Sequence, residues 1–311
     1  MKPIVSATID AGALNHNLGR IRQWAPRSQV MAVIKANAYG HGLVCVARAL
    51  DGADAFAVAR VDEGLTLREA GVTKRTVLLV DLDPQGNATM GCGVDKANLA
   101  HGGTLEVLLG ETPIESALVS IEVAGFTLLP SNQDLTAAEV RLLAMSSGRE
   151  AQLKKVLAPV LTRFDVIVID SPPALNLLTV NALVAADSVL VPMQCEYYAL
   201  EGLSALMSTI EQIRAAANPQ LAIEGILRTM FDPRNNLATE VSAQLIMHFG
   251  DKVFRTIIPR NIRLAEAPSF GVPVLFHDKD SRGALAYLAL AGEMIRREEE
   301  EGGHAHSPDS L

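Results

Sequence analysis

Two hydrophobic periods alternate along this chain. A β-branched run from Val30 to Ile34 leads into Lys35, and the glycine-rich turn NAYGHG then opens a helix-period stretch over 44–50. The same order repeats with AFAVA (55–59) and VDEGLTLREAG (61–71), where Gly71 suits the residue just past a helix end, and again with TVLLVD (76–81). Further strands are expected at 125–130, 164–170, 188–193, 221–229 and 252–259, with helices at 137–146, 175–186 and 200–217. Strands apolar along their whole length, such as VLLV (77–80) and VIVI (166–169), suit a parallel sheet covered on both faces. The fold class that follows is α/β, a doubly wound, mostly parallel sheet whose ligands lie beyond the carboxyl ends of its strands. Strand 55–59, helix 61–71 and strand 76–81 read as one βαβ unit, which places strand 76–81 to pair with strand 55–59.

Composition narrows the field. Of 311 residues, 49% are hydrophobic and 20% charged, the balance of a soluble globular protein. No apolar run approaches the roughly 18 residues that a membrane span needs, and the first residues carry no signal-peptide core, so a cytoplasmic protein with no membrane partner is expected. A net charge of −8 argues against a surface that coats nucleic acid broadly but leaves room for a local basic patch. Cys45, Cys92 and Cys195 are far apart and lack metal-ligand spacing, which suits three buried or half-buried thiols rather than a disulfide or a zinc site. The terminal segment 298–311, a glutamate run followed by small and polar residues, reads as a disordered, solvated tail.

The sharpest chemical signal is TVLLVDLDPQGNATMG (76–91), in which a buried strand ending in D-x-D-P-Q-G-N puts two carboxylates at the sheet's active edge. This block resembles the second conserved element of the ParA/MinD family of deviant P-loop ATPases. The resemblance implies that Asp83 orients the attacking water and that Asp81 lies close to a magnesium ion. It continues through FDVIVIDSPPALNLLTVNAL (164–183), where Asp170 ends a hydrophobic strand in the Walker B manner and would hold magnesium through water. The segments 189–203, 225–237, 258–274 and 280–294 extend it, so residues 76–297 are expected to form a ParA- or Soj-like α/β domain. The family implies ATP and magnesium as cofactors, a homodimer, non-specific DNA and a ParB-type partner, in chromosome or plasmid partitioning. Arg260, Arg263 and Arg282 are the candidate DNA contacts, with surface capping or ion pairing as the equal alternative.

One part of the family pattern is missing. ParA proteins open with a strand running into K-G-G-V-G-K-T, whose backbone N–H groups and lysines cradle the phosphates about 25 to 30 residues ahead of such an acidic block. No Gly-Lys pair occurs in this sequence, and AFAVA runs instead into Arg60, Val61, Asp62, Glu63 and Gly64. Two carboxylates would stand where a triphosphate should bind. Unit charges about 4 Å apart repel by on the order of 4 kcal/mol at an effective dielectric near 20, so ATP binding is expected to be severely weakened or absent.

The first quarter carries a different resemblance. Residues 7–50, and on through 54–74, resemble the opening of alanine racemase, a pyridoxal-phosphate enzyme built as a TIM-type barrel followed by a β domain. In VIKANAYGHG, Lys35 matches the lysine that forms the Schiff base and Tyr39 a tyrosine that contacts the cofactor phosphate. A strand-end lysine is partly desolvated and so primed to attack an aldehyde, although such a lysine also reaches readily into solvent. The second acid/base and the later barrel strands of a racemase have no counterpart here, so racemase activity is not expected. The organisation anticipated is a racemase-like β/α segment over 1–75, a ParA-like domain over 76–297 and a tail over 298–311. Three readings follow: a partitioning protein defective in ATP binding, a pyridoxal-phosphate racemase fragment, or a non-catalytic α/β chimera.

Overall fold

The computed structural model describes residues 9–26, 30–72 and 76–304; the expected junction near Lys74 and residues 305–311 lie outside them. The chain divides into two compact units. One comprises Met1–Val77 with Ser120–Thr127 and Arg163–Val166, the other Leu78–Val119, Leu128–Thr162 and Ile167–Leu311.

The first unit is a small α/β layer. Helix α1 (Ala11–Trp24) starts at Asp10, whose carboxylate accepts the Ala13 N–H at 3.0 Å and so satisfies one of the donors a helix start leaves open. Strand β1 (Met31–Val33) is followed by α2 (Leu43–Ala49), strand β2 (Ala55–Ala57) by α3 (Val61–Glu69). The strands pair in parallel, Met31 opposite Ala55 and Val33 opposite Ala57. Ile34, Ala38, Leu43, Val46, Ala47 and Leu67 form their core. Gly71 takes φ +73° just past α3, the left-handed stop that the sequence suggested.

Seven further strands follow, β3 (Val77–Asp81), β4 (Val119–Ile121), β5 (Phe126–Leu129), β6 (Val166–Asp170), β7 (Ser188–Gln194), β8 (Ala222–Phe231) and β9 (Val253–Pro259), all in the second unit except Val77, Ser120–Ile121, Phe126–Thr127 and Val166. They form two sheets, ordered β4-β5-β3-β6 and β7-β8-β9. The expected pairing of strand 76–81 with strand 55–59 is not made: β3 is bonded to β5 on one edge and to β6 on the other, and a strand has only two edges. Nor do these strands join into one sheet.

Helices α4 (Thr136–Leu143), α5 (Leu177–Ala185), α6 (Ala199–Ala216), α7 (Asn236–Phe249) and α8 (Arg282–His304) cover these sheets. Asn176 and Asn235 cap α5 and α7 through their side-chain oxygens. Helix α5 is fixed on both sides. The Asn181 amide bonds Leu153 N and Arg149 O in the first half, and Asn218 Nδ2 donates to Leu183 O and Ala186 O in the second. Helix α8 runs through His304, into the segment expected to be tail: glutamate is a good helix former, and a helix already seeded on β9 propagates at little cost. No described helix is long and apolar enough to cross a membrane. Cys195 is buried and Cys92 half-buried, but Cys45 is exposed, because α2 turns Val46 and Ala47 to the core and Cys45 to an open cleft.

Candidate functional site: carboxylates at the ends of β3 and β6

Strand β3 delivers Asp81 into the protein interior, where it has no exposed surface. A buried carboxylate must be paired or hydrogen-bonded, and Asp81 is held by one neighbour above all. Its Oδ2 accepts from Thr89 N at 2.8 Å and from Thr89 Oγ1 at 2.6 Å, and its Oδ1 accepts from Asp83 N at 3.2 Å. Thr89 in turn accepts the Ser131 N–H at 2.8 Å, while Ser131 Oγ donates to Asp83 O at 3.0 Å. Gly86 closes this loop in the left-handed region at φ +61°, and a Cβ there would lie 2.7 Å from Ser131 O. Asp83 is half-buried, with Oδ1 bound to the Gln85 N–H at 2.9 Å.

Asp170 ends β6 beside this loop, and Leu82 N donates to its backbone oxygen at 2.8 Å. Partial desolvation first, then the negative charges of Asp81 and Asp83, push the Asp170 carboxyl up to about 6. The three acids singled out in the sequence thus share one sheet edge, electrostatically coupled. Among the described residues no group of three or more His, Cys, Asp or Glu side chains is gathered closely enough to hold a metal ion directly. Thr89 and Ser131, which fix the loop, were not read from the sequence; only the folded chain brings them to Asp81.

The three arginines do not share one fate. Arg263 is engaged by Glu266 at 2.8 Å and Asp278 at 3.1 Å. Arg260 is exposed at the end of β9, and Arg282 is exposed at the start of α8. Asp232 is held down to about 2, first by hydrogen bonds from Arg234 and more weakly by the charge of Arg260.

In the first unit, Ala36, Asn37, Ala38 and Tyr39 form a left-handed turn with φ near +54°, a conformation costing roughly 1–2 kcal/mol for each residue with a Cβ. Hydrogen bonds hold it: Asn37 N donates to Glu63 Oε1 at 2.7 Å, and Leu43 N to Asn37 Oδ1 at 2.8 Å. The adjoining cleft, about 700 Å³, is lined by Asn37, Cys45, Arg60, Asp62, Glu63 and Thr66 among others. Lys35 and Tyr39 are both exposed and line no part of it. A cleft with two carboxylates and neither the amine nor the phenol facing it does not fit pyridoxal phosphate.

Comparison with known proteins agrees with the larger resemblance. The AAA domain family model matches residues 64–223, and the model for the alanine racemase N-terminal domain matches residues 9–90. A chromosome partitioning protein ParA from Myxococcus xanthus is 43% identical over 272 residues, 85% of this chain and 94% of its own length. The sporulation initiation inhibitor protein Soj of Bacillus subtilis is 46% identical over 220 residues, 71% of this chain and 86% of its own. Among solved structures, the cobyrinic acid a,c-diamide synthase of Mycobacterium smegmatis with bound ADP and magnesium matches at TM-score 0.63 and 34% identity, covering 87% of this chain and 95% of that one. With the AAA domain matched over half of its residues and partitioning proteins over more than two thirds, the chain belongs to the ParA/Soj family.

Proposed function

We propose that this chain is a ParA/Soj-type partitioning protein that keeps the family's acidic sheet edge but lacks a working nucleotide switch. The observation that carries this reading is the state of the helix start at α3. In chain order α3 stands where the family places its phosphate-binding loop and helix, one strand–helix step ahead of β3. A helix start binds anions through free N–H groups and the positive end of its dipole. Here the first turn supplies its own anions, Asp62 and Glu63. The Glu63 carboxylate already accepts from Asn37 N at 2.7 Å and Ala59 N at 3.3 Å. A triphosphate would have to displace that carboxylate and bear its repulsion, with no Gly-Lys loop to compensate.

Asp170, with Asp81 beside it, is the hard oxygen donor that would hold a magnesium ion through water, and Asp83, on the loop after Asp81, the group that would orient a water. Asp81, committed to Thr89, positions that loop. Magnesium, when bound in such sites, neutralises charge on the phosphates being transferred. Without a phosphate cradle these groups have no substrate to act on. The dimer, the ParB-type partner and non-specific DNA binding through Arg260 and Arg282 are expected to be weak in consequence, because in this family nucleotide drives them.

The test is equilibrium binding of a fluorescent ATP analogue with magnesium. No saturable binding up to millimolar nucleotide is expected, with Asp83→Ala indistinguishable from the parent. Micromolar binding that needs magnesium would overturn the reading and assign the phosphate cradle to another loop.

A further inference from the structure

After β9 the chain enters a run of short helices that ends on α8. Asn261 starts the first of them, Ile262–Glu266, by accepting the Arg263 N–H at 3.0 Å. This helix lies tightly against the start of α8: a Cβ at Gly283 would stand 2.5 Å from Leu264 Cγ. Arg263 and Arg282 each adjoin one member of that contact, and Arg260 lies just ahead of the short helix, so the fold collects three arginines near one end of α8. All three are exposed.

Arg263 is nonetheless occupied. Glu266, one turn further along its helix, takes Nη1 at 2.8 Å, and Asp278, from the loop ahead of α8, takes Nε at 3.1 Å. A guanidinium grips a phosphate through two adjacent nitrogens, Nε with Nη2 or Nη1 with Nη2. In Arg263 each of these forks has one nitrogen engaged. The two acids are themselves fixed. Ser269 Oγ donates to Glu266 O at 2.7 Å, and Asp278 N donates to Val274 O at 2.8 Å while Ser281 N donates to Asp278 O at 3.2 Å. His277, its ring 4.6 Å from that of Phe270, stands 3.5 Å from the Glu266 oxygen that Arg263 uses. The hydrogen bond from Arg263 first, then that from His277, holds the Glu266 carboxyl below its ordinary value, so it stays charged.

We propose that Glu266 and Asp278 mask Arg263, standing in for the phosphates of duplex DNA and keeping the Arg260–Arg263–Arg282 face from gripping a DNA backbone until the two pairs break. The mask rests on the reading of this chain as a DNA-associated partitioning protein and adds to it a control that needs no nucleotide. Exposed ion pairs are individually weak. A DNA phosphate therefore competes with them directly, and the pairs set a threshold rather than a permanent block.

The test measures binding of the full chain to a short duplex of random sequence by fluorescence anisotropy, without nucleotide, over a range of salt. The double variant Glu266→Gln with Asp278→Asn is expected to bind about threefold to tenfold more tightly than the parent, the scale of two exposed pairs. Its log–log salt dependence should steepen by about 0.9, one more phosphate contact. In an Arg263→Ala background the same two changes should lose the steeper slope and most of the tightening. Asp280→Asn, the same charge change at an exposed carboxylate of this segment, should alter binding less than about twofold. Each single variant gives the same comparison if circular dichroism shows that the double one does not fold. Equal tightening with and without Arg263, or from Asp280→Asn, would reduce the effect to net charge and overturn the mask. Parent binding that the double variant merely matches would overturn the mask alone, whereas no binding by either at any salt would remove the DNA reading with it.

Discussion

Asp81 and Asp170 end neighbouring strands but meet different surroundings. Asp81 is fully buried and answered by two donors from Thr89, so its burial is compensated. Asp170 has no such donor set and feels Asp81 and Asp83 across the strand ends, which adds to desolvation in raising its carboxyl to about 6. Replacing Asp83 by asparagine removes one of those charges while keeping a side-chain oxygen for the Gln85 N–H. Asp83→Asn is therefore expected to move the Asp170 titration midpoint downward, toward the ordinary carboxylate value, as read by carbon-13 NMR of the labelled carboxyl. An unchanged midpoint would mean that desolvation and Asp81, without Asp83, set it.

At the scale of elements, one buried carboxylate ties α8 to β9. Glu293 is buried, which by itself raises its carboxyl, but hydrogen bonds from Thr256 and Arg255, joined by Arg297, outweigh burial and bring it to about 2. A carboxyl whose folded value lies below its unfolded value stabilises the fold above the unfolded value, near 4.5, and loses that contribution as the pH falls toward 2. Glu293→Gln is expected to cost about 1–3 kcal/mol at neutral pH and to flatten the stability profile between pH 4.5 and 2. A variant that melts like the parent and keeps the same acid limb would place the stabilisation elsewhere. Helix α7 went unread, whereas β9 and helices α4, α5 and α6 were legible from their apolar patterns. Helix α1 was not, although Leu14, Leu18 and Ile21 stand at helical spacing. The left-handed turn at 36–39 was hidden as well, since alanine, asparagine and tyrosine carry no local demand for positive φ and long-range bonds such as Asn37 to Glu63 impose it.

For the whole molecule, chemistry was more legible than assembly. Asp81, Asp83 and Asp170 could be read as strand-end acids because each closes an apolar run, whereas Thr89 lies eight residues after Asp81 and Ser131 further still, brought in only by the fold. The pairing of strands could not be read so directly. Hydrophobic period states which faces are buried, but not which edges meet, and the unpaired flanks of β6 and β7 are visible only in the sheet order. The central claim is that the acidic edge survives without a nucleotide to serve. Any ligand that binds the folded state alone stabilises it, by about 2.7 kcal/mol at a hundredfold excess over its Kd. The most direct measurement is therefore the melting temperature of the unlabelled chain with and without millimolar ATP and magnesium. An unchanged Tm is the predicted result, and a rise of several degrees that requires both ATP and magnesium would contradict it.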